Sequence, residues 1–101
     1  MKPKGRPKKV RLIDKAPKVL QFSPRGRPGR PDEIEFTIDQ YETIRLVDYL
    51  GLEQVQAAKQ MGLSRQTVGR ILKLARKSIS DALINGKIIR ISGGQIQLKN
   101  S

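Results

Sequence analysis

Ser64, Arg65, Gln66 and Thr67 stand in a row, and Arg70, Lys73, Arg76 and Lys77 follow within three turns of a helix. These side chains are rich in hydrogen-bond donors. An arginine fork fits guanine O6 and N7, and a glutamine amide pairs with adenine N6 and N7. Arg65 and Gln66 are therefore the candidate base readers. Thr67 adds a phosphate or methyl contact, while Arg70, Lys73, Arg76 and Lys77 suit phosphate oxygens. Gly69 interrupts the row. A glycine inside a helix costs about 1 kcal/mol relative to alanine, so its presence asks for a reason. Close approach of backbone to a duplex is the expected one. The competing reading is the solvated basic face of an ordinary helix.

Other chemistry is largely excluded. The chain has no Cys and no His, which removes disulfides, thiolate nucleophiles, imidazole bases and nearly every zinc site. Only carboxylates remain, scattered over a basic scaffold without a phosphate-cradling loop. We expect no enzyme, no catalytic or metal-ligating residue and no cofactor. The 101 residues carry 21 Lys+Arg against 9 Asp+Glu, a formal charge of +12. That balance points to a polyanionic partner, nucleic acid first and an acidic membrane surface second. No apolar run approaches the roughly 18–20 residues of a membrane span, and the basic N-terminus lacks the apolar stretch of a signal peptide. A soluble, cytoplasmic, nucleoid-associated protein is expected.

The elements that must position these residues follow from charge and periodicity. Residues 1–31 carry eleven Lys/Arg and one acid, residues 32–53 seven acids and one Arg, and residues 54–101 nine Lys/Arg and one acid. The first block is rich in Pro and Gly and reads as an extended basic arm, with "VRLI" (10–13) and "KVLQF" (18–22) as short candidate strands. A helix then begins at Thr37, whose capping box uses Gln40 and whose hydrophobic staple joins Phe36 to Tyr41. Ile38, Tyr41, Ile44, Val47 and Leu50 recur along it up to Gly51. A second helix over about 53–61 stops at Gly62, and Ser64 caps a third that runs to about Ile84. Val68, Ile71, Leu72, Ala75, Ile79, Ala82 and Leu83 form its apolar stripe. "KIIRISGGQIQL" reads as a hairpin turning at Gly93–Gly94.

Two helices with a tight turn after a first helix make a helix-turn-helix. Ala57–Ala58 allow close helix approach, Gly62 allows the turn, and Met61, Leu63, Val68 and Ile71 anchor it. The expected fold is mainly α and winged-helix-like. It has an arm over 1–31, a three-helix helix-turn-helix domain over 32–86, and a C-terminal β-hairpin with tail over 87–101. The recognition helix would present Ser64, Arg65, Gln66, Thr67, Gly69, Arg70, Lys73, Arg76 and Lys77 to the major groove, N-terminus first.

Within this stretch, "TIDQYETIRLVD", "AAKQMGLSRQTVGRIL" and "ARKSISDALINGK" resemble uncharacterised protein family 0251, also called domain of unknown function 134, over roughly residues 6–94. The helices of that family look like the promoter-binding region 4 of bacterial sigma factors. The resemblance implies a prokaryotic DNA-binding module with a regulatory role, and it supports the outward face of Ser64, Arg65, Gln66, Thr67 and Arg70. Many members of that family have Cys near the first strand-like stretch and this chain has none, so no redox or metal-sensing role transfers from them. "SPRGRPGRPDE" is also more basic than its family counterpart.

"PRGRP" (24–28) matches the core of an AT-hook. Gly26 would let the backbone sink into the minor groove while Arg25 and Arg27 follow its floor, with Arg30 beside them. The alternative is a Pro/Gly connection whose arginines only screen phosphates. "KPKGRPKK" (2–9), with Lys4, Arg6, Lys8 and Lys9, reads as an electrostatic tail more than a second hook. Glu42, Arg45 and Asp48 read as a surface ion-pair network on the first helix. The alternative for this acidic face is docking to RNA polymerase or another regulator. The hairpin could cover the core, pair with strands from 10–22, or offer an edge to a second copy in a homodimer. The functional expectation is sequence-specific binding of double-stranded DNA. Its rivals are RNA binding, nonspecific architectural binding, and a protein-interaction module with a sigma-like fold.

Overall fold

The computed structural model describes residues 10–99. Their elements run in the order β1 (Arg11–Ile13), β2 (Gln21–Phe22), β3 (Glu33–Phe36), α1 (Ile38–Thr43), α2 (Gln54–Met61), α3 (Arg65–Asn85), β4 (Ile88–Ile91) and β5 (Ile96–Leu98). Between α1 and α2 the chain continues as a π-helical segment, Ile44–Tyr49. Helix dominates, and the strands are short.

The helix ends follow their local sequence. Thr37 N donates to Gln40 Oε1 at 3.0 Å to open α1, and Phe36 and Tyr41 belong to the same apolar cluster. Glu53 and Gln56 repeat the capping box at α2. Gly62 closes α2 in the left-handed region at φ 67°, which glycine enters without the steric cost of a Cβ. Two residues later, Ser64 Oγ accepts from Thr67 N at 3.1 Å and opens α3. Gly86 ends α3 with φ 63°.

Two apolar clusters meet around α1. Ile13, Leu46, Ala57, Ala58, Met61 and Val68 form the first, and Phe36, Ala75 and Ile91 the second. Ile38 packs against both. Packing on several sides explains why the first helix departs from a single amphipathic stripe. Ile38, Tyr41, Ile44 and Val47 are only half-buried, whereas Asp39, Glu42, Thr43 and Leu46 are buried. The π segment changes the phase further. Leu50 N bonds back to Arg45 O at 2.9 Å, a wider i→i−5 turn that leaves Tyr49 82% and Leu50 50% exposed. The expected stripe thus fails at Leu50. It fails again at Leu83, which is 78% exposed: it lies about 100° around the helix from buried Ala82.

The strands correct two expectations. β1 and β2 fall inside the stretch expected as an arm, yet Ile13 is fully buried in the first cluster, so the chain before residue 31 contributes to the core. β4 and β5 do not form a hairpin with each other. β4 is the centre of a three-stranded sheet, antiparallel to β2 and parallel to β3, while β5 pairs in parallel with β1. With both edges of β4 occupied, the chain crosses over the start of α1 instead of turning back. Ser92 N donates to Phe36 O at 3.1 Å and Ile38 N to Gly93 O at 3.2 Å along this crossing. β3, with alternating Glu33, Ile34, Glu35 and Phe36, is a strand that sequence reading passed over.

Candidate nucleic-acid interface

α3 is long enough to carry three different faces. Val68, Ile71, Leu72, Ala75 and Ala82 are buried. Gln66, Arg70, Lys73 and Lys77 are exposed and recur at i, i+4, i+7 and i+11, a straight stripe opposite the core. None of these three cations forms an ion pair with a described residue, and neither does Arg65. The stripe is thus a row of positive charge with an amide at its head and no ion pair along it; Asp81, one turn beyond Lys77, feels the charge of that lysine without forming an ion pair with it.

The remaining candidates sit on the flanks. On one side, Ser64 and Thr67 are committed to each other, their hydroxyl oxygens 2.9 Å apart. They line an open cleft of about 480 Å³ together with Arg11, Leu63, Arg70, Ile71 and Leu74. Arg11 was not among the sequence candidates; the strand-like "VRLI" was the available signal. On the other side, Arg65 is exposed next to the start of α2 and shares a shallow cavity with Glu53 and Gln54. Gly69 lies on this flank too. A Cβ there would stand 3.3 Å from Gln54 Oε1. That atom is the free end of a flexible side chain, and no backbone of α2 comes within 4 Å of the position.

Arg76 is also differently employed. Its Nη2 and Nε donate to Asp48 Oδ1 and Oδ2 at 2.7 and 3.2 Å, a fork-to-carboxylate pair that ties α3 to the π segment. This hydrogen bond, with the nearby negative charge, holds the Arg76 guanidinium above its ordinary pKa.

The acidic block is spent in the same way. Glu42 is no surface residue: it is 1% exposed, accepts from Arg45 Nε at 2.7 Å and Nη2 at 3.0 Å, and accepts from Asp14 N at 2.9 Å. Arg45 is raised in pKa first by that bond. Asp39 lies 3.5 Å from Arg11. Glu33 takes Arg90 Nε at 2.6 Å, and that bond holds its carboxyl below the usual range. Four of the seven acids in 32–53 (Glu33, Asp39, Glu42 and Asp48) are thus paired internally. Near the end of α3, Asp81 bonds Lys87 and Asn85, which lowers its pKa.

The arm candidates divide. Lys4, Arg6, Lys8 and Lys9 lie outside the described residues. Arg25, Gly26, Arg27 and Arg30 are all exposed, but Arg27 is already in use. Its Nη1 donates to Asn85 O at 2.6 Å, a cation on the last carbonyls of α3 where the helix dipole favours positive charge. Arg27 N also donates to Pro24 O at 3.4 Å, which curls "PRGRP" into a turn. A helix of 21 residues is about 31 Å long. The turn and the Ser64–Gln66 end therefore sit at opposite ends of α3.

No helix among the described residues is long and apolar enough to cross a membrane, and no cluster of three or more potential metal ligands occurs among them.

Comparison with known proteins places the chain. The family model for "Protein of unknown function DUF134" matches residues 1–99. A UPF0251 protein of Methanococcus vannielii is 48% identical over 97 residues, covering 95% of this chain and 75% of the relative. A UPF0251 protein of Prosthecochloris aestuarii is 45% identical over 93 residues, 91% of this chain and 60% of the relative. One from Dehalococcoides mccartyi is 46% identical over 94 residues, 92% and 80% of the two chains. No solved structure matches. A family match over nearly the whole chain, with relatives at this identity in three different organisms, makes this protein a member of the UPF0251 (DUF134) family.

Proposed function

We propose that α2, the turn at Gly62–Ser64 and α3 form a helix-turn-helix that binds double-stranded DNA in the major groove. Regulation of transcription from the bound site is the role this reading carries. The observation behind it is the stripe of Gln66, Arg70, Lys73 and Lys77, whose three cations stand unpaired. In the same molecule, Arg11, Arg45, Arg76, Lys87 and Arg90 are each matched to a carboxylate. Three exposed cations in line on one helix face, none of them within ion-pair distance of a described carboxylate, form a row that a polyanion matches as counterion.

Within this reading Gln66 and Arg65, at the leading turn, reach base edges. Arg70, Lys73 and Lys77 hold phosphates. Arg76 supports the site through Asp48 and contacts no DNA. The reading assigns no catalysis, and places the protein with the nucleoid in the cytoplasm.

Equilibrium binding to a labelled duplex against salt tests it. Each phosphate contact contributes a slope of about −0.9 in log K against log salt. Arg70→Gln/Lys73→Gln/Lys77→Gln should flatten the slope by about 2 to 3. An unchanged slope would remove the stripe from the interface. Duplex RNA as competitor separates the RNA rival, because the deep, narrow major groove of A-form RNA does not admit side chains.

A further inference from the structure

We propose that the trailing end of α3, with β2 beside it, is where a second copy of this chain docks, so that the protein pairs into a symmetric dimer. The inference goes beyond the DNA-binding reading and does not depend on it.

A ridge and a groove lie side by side on this surface. Leu83 and Ile84, in the last turn of α3, are each 78% exposed. Next to them Phe22, Pro24, Ile79, Ala82, Leu83 and Ile89 border a groove of about 260 Å³. Phe22 pairs with Ile89 across the β2–β4 ladder, so both side chains lie on the same face of the sheet. Ile89 and Ile79 pack against the second apolar cluster, whereas Phe22 is left 53% exposed. The floor of the groove is therefore continuous with the core, and its outer wall is in solvent. Contiguous apolar surface of this kind marks a contact site.

Charge selects the partner. The chain carries +12 overall, so two copies repel wherever their bare cations face each other. Around the ridge and groove the cations are offset. Lys87, the charged residue of the groove lining, holds Asp81 at 2.9 Å. Arg76, two turns before Leu83 on the same side of α3, holds Asp48 at 2.7 Å. Between them Ser80 turns its hydroxyl back to Arg76 O at 2.8 Å. Arg27 rests on Asn85 O at 2.6 Å, where the helix dipole offsets its charge. The stripe of cations without ion pairs ends at Lys77, two turns before Ile84. An acidic partner finds its match on that stripe. The apolar end, with its charges offset, suits a like-charged copy.

Shape agrees with charge. A two-fold axis sets the Leu83–Ile84 ridge of each copy against the groove of the other, an isologous contact that closes at two chains. The contact lies at the opposite end of α3 from Arg65 and Gln66, so both leading turns stay uncovered. Two such turns in one particle are what an inverted repeat in DNA requires.

The test uses the full chain without nucleic acid, so its result is the same whether or not α3 binds DNA. Sedimentation equilibrium should give a mass that rises with concentration from 11.4 kDa toward twice that value. Leu83→Gln/Ile84→Gln replaces exposed side chains, so circular dichroism should keep its helical signal while the mass stays at that of one chain. Leu50→Gln/Val55→Gln, at exposed apolar positions outside the groove and ridge, should leave the dimer intact. Salt gives a readout that needs no variant. Raising it from about 0.1 to 1 M shortens the screening length from about 10 to 3 Å, which removes repulsion between like-charged copies and should tighten the pairing. The mass of one chain at every concentration overturns the proposal and leaves the groove to an unlike partner. A dimer that Leu83→Gln/Ile84→Gln leaves intact, that Leu50→Gln/Val55→Gln abolishes, or that salt dissociates overturns it equally.

Discussion

At the scale of single residues, Gly69 separates two accounts of α3. If the backbone at this position touched DNA, any side chain would cost affinity. The structure instead sets it against Gln54 Oε1, where a Cβ would stand at 3.3 Å. The neighbour is the free end of a flexible side chain and can yield. Gly69→Ala should therefore stabilise the fold by about 0.5–1 kcal/mol through helix propensity, with DNA affinity unchanged; urea unfolding and a binding isotherm check the pair. Gly94 is the opposite case. Its φ is +93°, and a Cβ would meet Asp39 Oδ1 at 2.8 Å. Gly94→Ala should cost about 1–3 kcal/mol, read as a lower midpoint in the same unfolding experiment. For recognition itself, Arg65→Ala should lose about 1–3 kcal/mol on a selected site and relax one base position, with little change on random DNA. Equal losses on both would remove Arg65 from base reading.

At the scale of elements, helices were legible and partners were not. The caps at Thr37 and Ser64 and the stop at Gly62 depend on residues three or four apart, so these helix ends could be read directly from sequence, while the capping box at Glu53 was passed over. Strand pairing joins residues as distant as Arg11 and Ile96, and nothing local encodes that choice. The same distance effect hid the fate of the charged residues. Glu42 looked like a member of a surface network because its spacing to Arg45 is visible, whereas Asp14 and β1, which cover it, are not. Three of the nine α3 candidates, Ser64, Thr67 and Arg76, have structural duties that periodicity alone could not separate from an outward face. These duties have measurable sizes. Ser64→Ala removes the acceptor for Thr67 N and should cost about 1 kcal/mol. Glu42→Ala leaves Arg45 without its closest carboxylate in a half-buried site and should cost about 3 kcal/mol; Glu42→Gln, which keeps an acceptor, should cost less. Denaturant midpoints of the three variants decide this ordering.

At the scale of the whole molecule, the distribution of charge is the organising fact. A net +12 spread evenly would only repel itself. Here four of the seven carboxylates of 32–53 are drawn into pairs with Arg11, Arg45, Arg76 and Arg90, and they stitch the N-terminal strands, the π segment and α3 into one body. The face of α3 receives none of them. Folding thus spends these carboxylates on the body of the molecule and leaves Arg65, Arg70, Lys73 and Lys77 without an ion pair on α3.

The measurement that bears most directly on this account is selection of bound sequences from a random duplex library, with affinity for the winner then followed against salt. The account predicts an enriched motif with G close to A and a log–log slope of about −5 or steeper. No enrichment with the same slope would contradict base reading by α3, and no salt-dependent binding at all would contradict DNA as the partner.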